Sequence, residues 1–245
     1  MNPIKGKSWT RDELILAINL YCKTPFGRIH VSNPEIIELA AKLGRTPGSV
    51  SYKLANFASI DPSLDRKGAS NVSKLDREVW IEYFKNWEEM AFESEMKRRE
   101  LFGIINSAEA DEDSLLKEGK TKKATVKVRI GQRFFRDMIL SSYDGTCCIT
   151  GIKEPDLLVA SHIVPWAKDK TNRLNPMNGL CLNALHDRAF DRGLITVDEA
   201  YRVVVSRLAD HDLLVNYDRQ PLSLPKRFIP SQEFLDYHRS EVFRD

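Results

Sequence analysis

Four polar residues in the second half of the chain have the types and spacing needed for phosphodiester hydrolysis. His162 ends an apolar run typical of a strand, Asn178 lies 16 positions later, and His186 and Asp187 follow eight and nine positions after that. A histidine on a strand that faces a His/Asp pair on a helix can act as a general base beside one divalent cation. An asparagine can hydrogen-bond the backbone of the intervening loop. The alternative is four separate structural residues.

The sequence motifs around these residues resemble those of a known family. CCITG, ASHIVPW, NGLCLNALHD and AFDRGLIT, in this order, are similar to HNH endonuclease domains of the ββα-metal fold, closest to the restriction-endonuclease branch. The resemblance covers about residues 128–200. It implies that His162 is the general base, that Asn178 braces the loop so that His162 is aimed at the scissile phosphate, and that His186 binds one divalent cation, Mg²⁺ or Mn²⁺.

The chain departs from that family at two positions. Many members have Asp or His as a metal ligand just before the first histidine, but here the residue is Ser161, whose hydroxyl is a poor ligand and would act through water. Many members place the last ligand nine positions after the asparagine, which is Asp187 here. We expect His186 to be the ligand with Asp187 assisting. If the helix begins later than predicted, Asp187 becomes the ligand, with Asp191 in reserve.

Composition excludes several classes of protein. The chain has 245 residues, 42% of them hydrophobic, and no apolar run long enough for a membrane helix. Its four cysteines include an adjacent pair, which is not the pattern of a secreted disulfide framework. They also lack the two paired motifs of a four-thiolate zinc site, so no structural zinc is expected. These features predict a cytoplasmic protein without membrane association.

Charge is distributed unevenly along the chain. Residues 1–60 carry a net charge of +4, residues 76–118 of −7, and residues 119–136 of +7. Two basic segments separated by an acidic one are typical of a protein that binds a polyanion, although a solvated surface of mixed charge is the alternative. Five side chains of the second basic segment are expected to hold DNA phosphates: Lys120, Lys122, Lys123, Lys127 and Arg129.

The N-terminal segment has the pattern of a helix-turn-helix. Helices are predicted to begin at Thr10, with a capping box to Glu13, at Asn33-Pro34 and at Thr46-Pro47, the second one ending at Gly44. The segment also resembles three-helix Myb/SANT-like domains. DNA contacts are expected from the turn and from the last of these helices, and an unliganded helical hairpin is the alternative. The candidate residues are Arg45, Ser49, Tyr52, Lys53 and Asn56.

Further elements are predicted from periodicity. A long charged helix is expected over Lys74–Phe102, and a short helix over Gln132–Ser142. The site is expected to contain a hairpin of Cys147–Thr150 with Leu157–His162, followed by a helix over Leu180–Phe190. A second hairpin is expected from Leu194–Val197 and Tyr201–Ser206.

Together these patterns predict an α+β chain. An all-helical, helix-turn-helix-like DNA-recognition domain (1–105) would be joined by a charged linker (106–125) to a ββα-metal HNH nuclease domain (126–245). The expected function is a metal-dependent endonuclease acting on double-stranded DNA in restriction or defence. A homodimer is one way to cut both strands. Two alternatives remain open: a nuclease whose N-terminal half is a protein-interaction or dimerisation module, and a non-catalytic DNA-binding protein.

Overall fold

The computed structural model describes residues 7–64, 69, 71–104, 120–209 and 212–245, and only the backbone of residues 120–124. The chain divides into two compact units, Met1–Phe134 and Phe135–Asp245. The division falls within helix α6 (Lys120–Ser142). The end of the predicted linker, residues 120–125, is therefore helical, and the rest of that linker lies outside the described residues. The domain boundaries stay predictions.

The N-terminal unit is built from helices. Its first five helices are α1 (Arg11–Lys23), α2 (Pro34–Leu43), α3 (Pro47–Ile60), α4 (Lys74–Lys85) and α5 (Trp87–Phe102). α1 packs against α3, α4 and α5. Its side chains Leu14, Ile15, Ala17 and Ile18 are completely buried, so α1 forms the centre of this unit.

The first three helices begin as predicted, and the second also ends at the predicted residue. Thr10 and Glu13 form a complete capping box at the start of α1. Asn33 caps α2, which ends at Gly44 in the left-handed conformation, with φ of 66°, a region where glycine has no steric penalty. Thr46 caps α3 by accepting from the backbone N–H of Ser49. Local capping chemistry is thus sufficient to set these boundaries.

The single long helix predicted over Lys74–Phe102 is wrong, because the chain breaks at Asn86 into α4 and α5. Asn86 has φ of −128° and ψ of 55°, outside the helical region. The break lets α4 and α5 pack against each other and, in turn, against α1. Trp80, Phe84 and Trp87 pack against one another at this corner, with ring centroids 4.0 Å apart for Trp80 and Phe84 and 4.6 Å apart for Phe84 and Trp87.

The second unit contains an antiparallel pair of strands, β1 (Leu158–His162) and β2 (Gly179–Asn183), in which His162 is paired with Gly179. The predicted hairpin was wrong, because Cys147–Thr150 forms a turn and not a strand. Gly151 closes this turn by donating to the carbonyl of Cys147 at 2.9 Å. The strands β1 and β2 are joined by the long irregular segment between them.

The predicted helix over Leu180–Phe190 begins four residues later than expected, as α7 (Ala184–Asp191). Leu180 belongs to β2, where its apolar neighbours are completely or almost completely buried between the turn and β1. Asn183 has extended backbone, and its side chain accepts from the backbone N–H of His186, so it caps α7. The polypeptide therefore runs strand, loop, strand, helix through the candidate site.

The C-terminal elements support α7. They are β3 (Ile195–Val197) and β4 (Val203–Val205), which form the second predicted hairpin with shorter strands, followed by α8 (Asp212–Val215) and α9 (Gln232–Glu241). His238 of α9 stacks on Phe190, with ring centroids 3.6 Å apart, and its Nε2 donates to the Phe190 carbonyl. Arg244 donates to the carbonyl of Gly193, where a Cβ would lie 2.1 Å from the carbonyl oxygen of Val242. The end of α7 is thus closed by residues much later in the chain.

The predicted α+β class is confirmed, with helices in the first unit and small antiparallel sheets around α7 in the second. Within the described ranges, no helix is both long enough and apolar enough to cross a membrane.

Candidate active site

His162 lies at the end of β1, half-buried, with its imidazole held by the loop that follows. Its Nε2 is 2.9 Å from the carbonyl oxygen of Arg173. A carbonyl can only accept, so Nε2 carries the hydrogen and Nδ1 of the neutral ring is an acceptor. Burial lowers the pKa of His162 below its ordinary value. The neutral imidazole, which is the form that can accept a proton, is therefore favoured.

Two aromatic rings surround that imidazole. Phe135 of α6 is stacked on it, with ring centroids 3.9 Å apart and planes at 14°. Trp166 lies against it edge-on, at 5.3 Å and 87°. Neither residue was identified by sequence reasoning, because aromatic residues in a helix or loop carry no signal that distinguishes a base-packing role from an ordinary core role.

Asn178 braces the loop between the strands. It has no exposed surface, and its Oδ1 accepts from the backbone N–H of Val164 at 2.8 Å. Its Nδ2 donates to the carbonyls of Val164 and Asn172, at 3.3 and 3.2 Å. One buried amide therefore ties both halves of the loop to the start of β2, and Val164 is only two residues after His162.

Other residues of the loop hold it from within. Asp169 accepts from the side-chain amide of Asn172 and from the backbone N–H groups of Asn172 and Thr171, and these bonds lower the pKa of its carboxyl against the opposing effect of burial. Arg173 donates to the carbonyl of Trp166 at 2.8 Å, and its guanidinium lies over the Trp166 ring. The Arg173 carbonyl, which accepts the hydrogen bond from His162, therefore belongs to a loop that is held by several internal hydrogen bonds.

His186, on the first turn of α7, is 2% exposed and faces Asn183 and Tyr217. The Oδ1 of Asn183 accepts from the backbone N–H of His186 and lies 3.0 Å from its Nδ1. An atom that accepts from a backbone N–H must be the amide oxygen, so Nδ1 is the donor and Nε2 has the lone pair. Nε2 is buried and has no hydrogen-bond partner among the described residues.

Asp187 lies on a different side of α7 from His186, beside Ser161 of β1. Burial raises the pKa of its carboxyl, while Ser161 and then Arg188 oppose that effect. Ser161 is 2% exposed, and its Oγ has no well-formed hydrogen bond to any described residue. Asp191, one helical turn on, has a pKa raised by burial and by the charge of Asp187. This side of α7 therefore carries two carboxyl groups, and the first of them lies beside the buried hydroxyl of Ser161.

The structure brings together only part of the predicted metal ligands: Ser161 and Asp187 are neighbours, whereas His186 faces Asn183 and Tyr217. In the described part of the chain, no three His, Cys, Asp or Glu side chains are grouped closely enough to hold an ion together. Cys147, Cys148 and Cys181 are buried as free thiols around the turn, and burial raises the pKa of Cys148 well above its ordinary value. A thiol kept protonated in this way is a core residue.

Arg45 does not project from the N-terminal unit toward a phosphate, and that expectation was wrong. The residue is 8% exposed, and its guanidinium pairs with Glu13 at 2.8 Å. It also donates to the carbonyls of Lys7 and Ser8 and lies over the ring of Trp9. Its donors are committed to holding the segment before α1 against the turn between α2 and α3.

Lys53 and Asn56 are also buried, so the expectation that they face a DNA groove was wrong. The Nζ of Lys53 is 2.8 Å from both carboxylate oxygens of Asp76, which has no exposed surface. Asn56 is 2% exposed and donates to the carbonyl of Asn71. Helical spacing placed these residues on α3, but α4 and the segment before it cover that side of the helix.

The remaining candidates for DNA contact are at least partly exposed or lie outside the described side chains. Tyr52 is 48% exposed, and Ser49 is half-buried at the start of α3. Lys127 pairs with Glu89 and lies 3.7 Å from Glu88, and Arg129 is half-buried. The side chains of the other three basic residues are outside the described part: Lys120, Lys122 and Lys123.

Comparison with known proteins places this site in a family. Residues 147–198 match the family model described as HNH endonuclease, a span that contains β1, the loop, β2 and α7. No curated protein matches the chain. A solved structure titled modification dependent TagI restriction endonuclease matches with 19% identity and a TM-score of 0.34, over 44% of this chain and 37% of that one. The present chain thus spans well under half of that protein. The chain carries, at residues 147–198, an HNH endonuclease domain.

Proposed function

We propose that the chain is a divalent-metal-dependent DNA endonuclease that hydrolyses phosphodiester bonds. The observation that carries this proposal is the arrangement of His162, whose Nε2 is engaged by the Arg173 carbonyl while its Nδ1 is left as an acceptor. A role in restriction or defence follows from the sequence resemblance described above.

His162 would act as the general base. Its Nδ1 would take a proton from a water molecule as that water attacks the phosphorus atom. Asn178 would contribute by holding the backbone of Val164 and Asn172, so that the strand end and the carbonyl of Arg173 keep their separation. A base fixed in this way loses little freedom when the substrate binds.

Asp187 is the side chain that best fits a divalent cation. Its carboxyl is partly removed from water, and in the described part of the chain no lysine or arginine is ion-paired with it. Asp191 adds a second carboxyl on the same face of α7, and the buried hydroxyl of Ser161 lies beside Asp187. The bound cation supplies Lewis acidity that stabilises the negative charge developing on the phosphate and the leaving oxygen.

His186 is the second candidate for a metal ligand, because its Nε2 is buried with a free lone pair. Two observations favour Asp187 over it. The late start of α7 turns Asp187 toward β1, and the ring of His186 is directed toward Tyr217, at 4.9 Å. On this proposal His186 and Asn183 hold the first turn of α7.

A plasmid assay tests the function. Purified protein is incubated with supercoiled DNA in Mg²⁺, in Mn²⁺ or in chelator, and nicked and linear products are separated. Cleavage by the wild type with metal, and its loss in His162→Ala, are expected. His30→Ala, at an exposed histidine of the N-terminal unit, is the matched control and should cut normally. Absence of cleavage with either metal would favour a non-catalytic DNA-binding protein.

A protein-interaction role for the N-terminal half is a second candidate. The burial of Arg45, Lys53 and Asn56 removes three of the five DNA contacts that were expected from the N-terminal helices. A dimer formed by this half would also give the two active sites needed to cut both strands. Analytical ultracentrifugation of the full chain, with and without duplex DNA, distinguishes a dimerisation module from a DNA-recognition domain.

A further inference from the structure

The Phe135 ring occupies a position that constrains the proposed general base. It is 1% exposed and lies almost parallel to the His162 imidazole, with centroids 3.9 Å apart and planes at 14°. The final torsion of a histidine side chain is broad and is not fixed by its backbone. A ring packed flat against one face therefore limits the rotation that the Arg173 hydrogen bond alone would allow.

Gly179 explains how a helix can place an aromatic ring there. It is the residue paired with His162 across the two strands. A Cβ at Gly179 would lie 2.7 Å from Cζ of Phe135 and 2.5 Å from Cδ1 of Ile139, far inside normal contact distance. The absence of a side chain at this position opens the surface of β2, and Phe135 fills the opening beside the imidazole.

A second stacked pair in the same unit shows what a purely structural histidine looks like. His238 stacks on Phe190 with centroids 3.6 Å apart and planes at 11°. Both of its ring nitrogens are engaged, Nδ1 with the hydroxyl of Thr196 and Nε2 with the carbonyl of Phe190, and it is 1% exposed. His162 has the same stacking geometry, but it is half-buried, and among the described residues it is hydrogen-bonded through Nε2 alone.

We propose that Phe135 is a positioning residue for His162, holding the plane of the imidazole so that Nε2 stays on the Arg173 carbonyl and Nδ1 stays directed at the attacking water. This inference rests on the proposed nuclease function. The ring acts on the orientation of the base and contacts neither DNA nor cation, so its loss should affect turnover and not substrate binding.

The test compares three variants of the full chain. Phe135→Leu keeps an apolar side chain but removes the flat ring. Phe135→Tyr is the conservative variant, which keeps an aromatic ring at this position. Phe234→Leu removes a buried phenylalanine from α9 in the same unit and is the control for lost packing. We expect Phe135→Leu to lower kcat by about 10- to 100-fold with KM unchanged, because misplacement of a catalytic group is costly. Phe135→Tyr and Phe234→Leu should keep kcat within a few fold of the wild type.

A second readout does not depend on cleavage. Nitrogen-15 NMR of the imidazole reports which ring nitrogen of His162 carries the hydrogen, and Phe135→Leu should lower the Nε2–H fraction. If Phe135→Leu does not fold, Phe135→Met takes its place, since methionine adapts to irregular space. Unchanged kcat, or an unchanged tautomer ratio in a folded Leu or Met variant, would overturn the positioning role. An inactive wild type would instead overturn the nuclease function, and with it the role of Phe135.

Discussion

The Nε2 of His162 and the carbonyl oxygen of Arg173 lie 2.9 Å apart, although the two residues are 11 positions apart in the sequence. This contact selects the tautomer of the proposed base, because a carbonyl can receive a hydrogen but cannot supply one. It also makes the base dependent on the loop, so any change that loosens the loop should act on the chemistry.

The pH dependence of cleavage should reflect the burial of His162. Burial lowers its pKa, and a bound cation nearby would lower it further, so the neutral base persists below the pH at which an ordinary histidine is half-protonated. We expect kcat/KM to be flat near neutral pH and to fall only below about pH 6.5. Single-turnover cleavage measured from pH 5 to 8 in saturating Mn²⁺ gives the profile. A fall that begins well above pH 7 would contradict a buried neutral base.

Metal affinity should depend more on Asp187 than on His186. Asp187→Asn removes the charge without changing the shape, and we expect Mn²⁺ binding to weaken at least about tenfold, as measured by calorimetry. His186→Gln should weaken it less. Ser161→Asp should tighten binding, because a carboxylate would replace the hydroxyl beside Asp187.

Asp236→Asn is the control for this titration, since Asp236 is 77% exposed and paired with Arg239 on α9. If His186→Gln loses the metal while Asp187→Asn keeps it, the ligand is His186. If neither variant changes the affinity, the cation is not held by α7.

The ion pair between Lys53 and Asp76 should stabilise the N-terminal unit. Lys53→Met would leave the carboxylate of Asp76 buried without its counter-charge, which costs about 3–5 kcal/mol in comparable sites. Urea denaturation measures the loss. Lys74→Met breaks the pair with Glu78 on the solvent side of α4, whose side chains are 91% and 57% exposed, and should cost less than about 1 kcal/mol. Similar losses for the two variants would contradict a structural role for Lys53.

The two groups of candidate DNA contacts should have different effects. Changing Lys120, Lys122 and Lys123 together to Ala should weaken binding to all sequences about equally and flatten its salt dependence, since such residues would meet phosphates. Tyr52→Ala, at an exposed position of α3, should instead change the preferred cleavage sites. Sequencing of cleavage ends and salt-titrated binding measure the two effects. An unchanged site preference in Tyr52→Ala would argue against α3 as a recognition helix.

Stability should fall in mild acid because of His238. Burial lowers the pKa of His238 to about 4, whereas the unfolded residue titrates near the ordinary value of 6.5. As the pH falls below 6.5, His238 binds a proton in the unfolded state but stays neutral in the folded state. The free energy of unfolding therefore decreases until about pH 4. The loss is on the order of 3 kcal/mol. Denaturation at several pH values, compared with His238→Gln, isolates this contribution, and equal pH slopes for the two proteins would contradict it.

Sequence reasoning succeeded where local chemistry decides the structure. Thr10, Asn33, Gly44 and Thr46 are capping residues whose effect does not depend on distant contacts, and the helices begin and end there. It failed where packing decides. The run at Leu180 is apolar and short, and such a run fits either a buried strand or a helix until its partner is known, which here is β1.

The burial of polar side chains could not be predicted from the sequence either. Lys53 and Asp76 are 23 residues apart, and their pairing follows from the fold of α4 onto α3. The order of His162, Asn178 and Asp187 along the chain was visible from the beginning, but the residues that orient them were not. Phe135 and Arg173 became identifiable only from the geometry of their contacts with His162.

The closure of α7 by distant residues sets an order of events during synthesis. Asp187 is synthesised before the groups that hold the end of its helix, the His238 ring and the backbone around Val242 and Arg244, which follow about 50 residues later. Domains generally fold as units, so the helix that carries Asp187 reaches its final packing only after α9 is available. A nascent chain would therefore hold His162 on its strand for some time before the opposite side of the site is rigid.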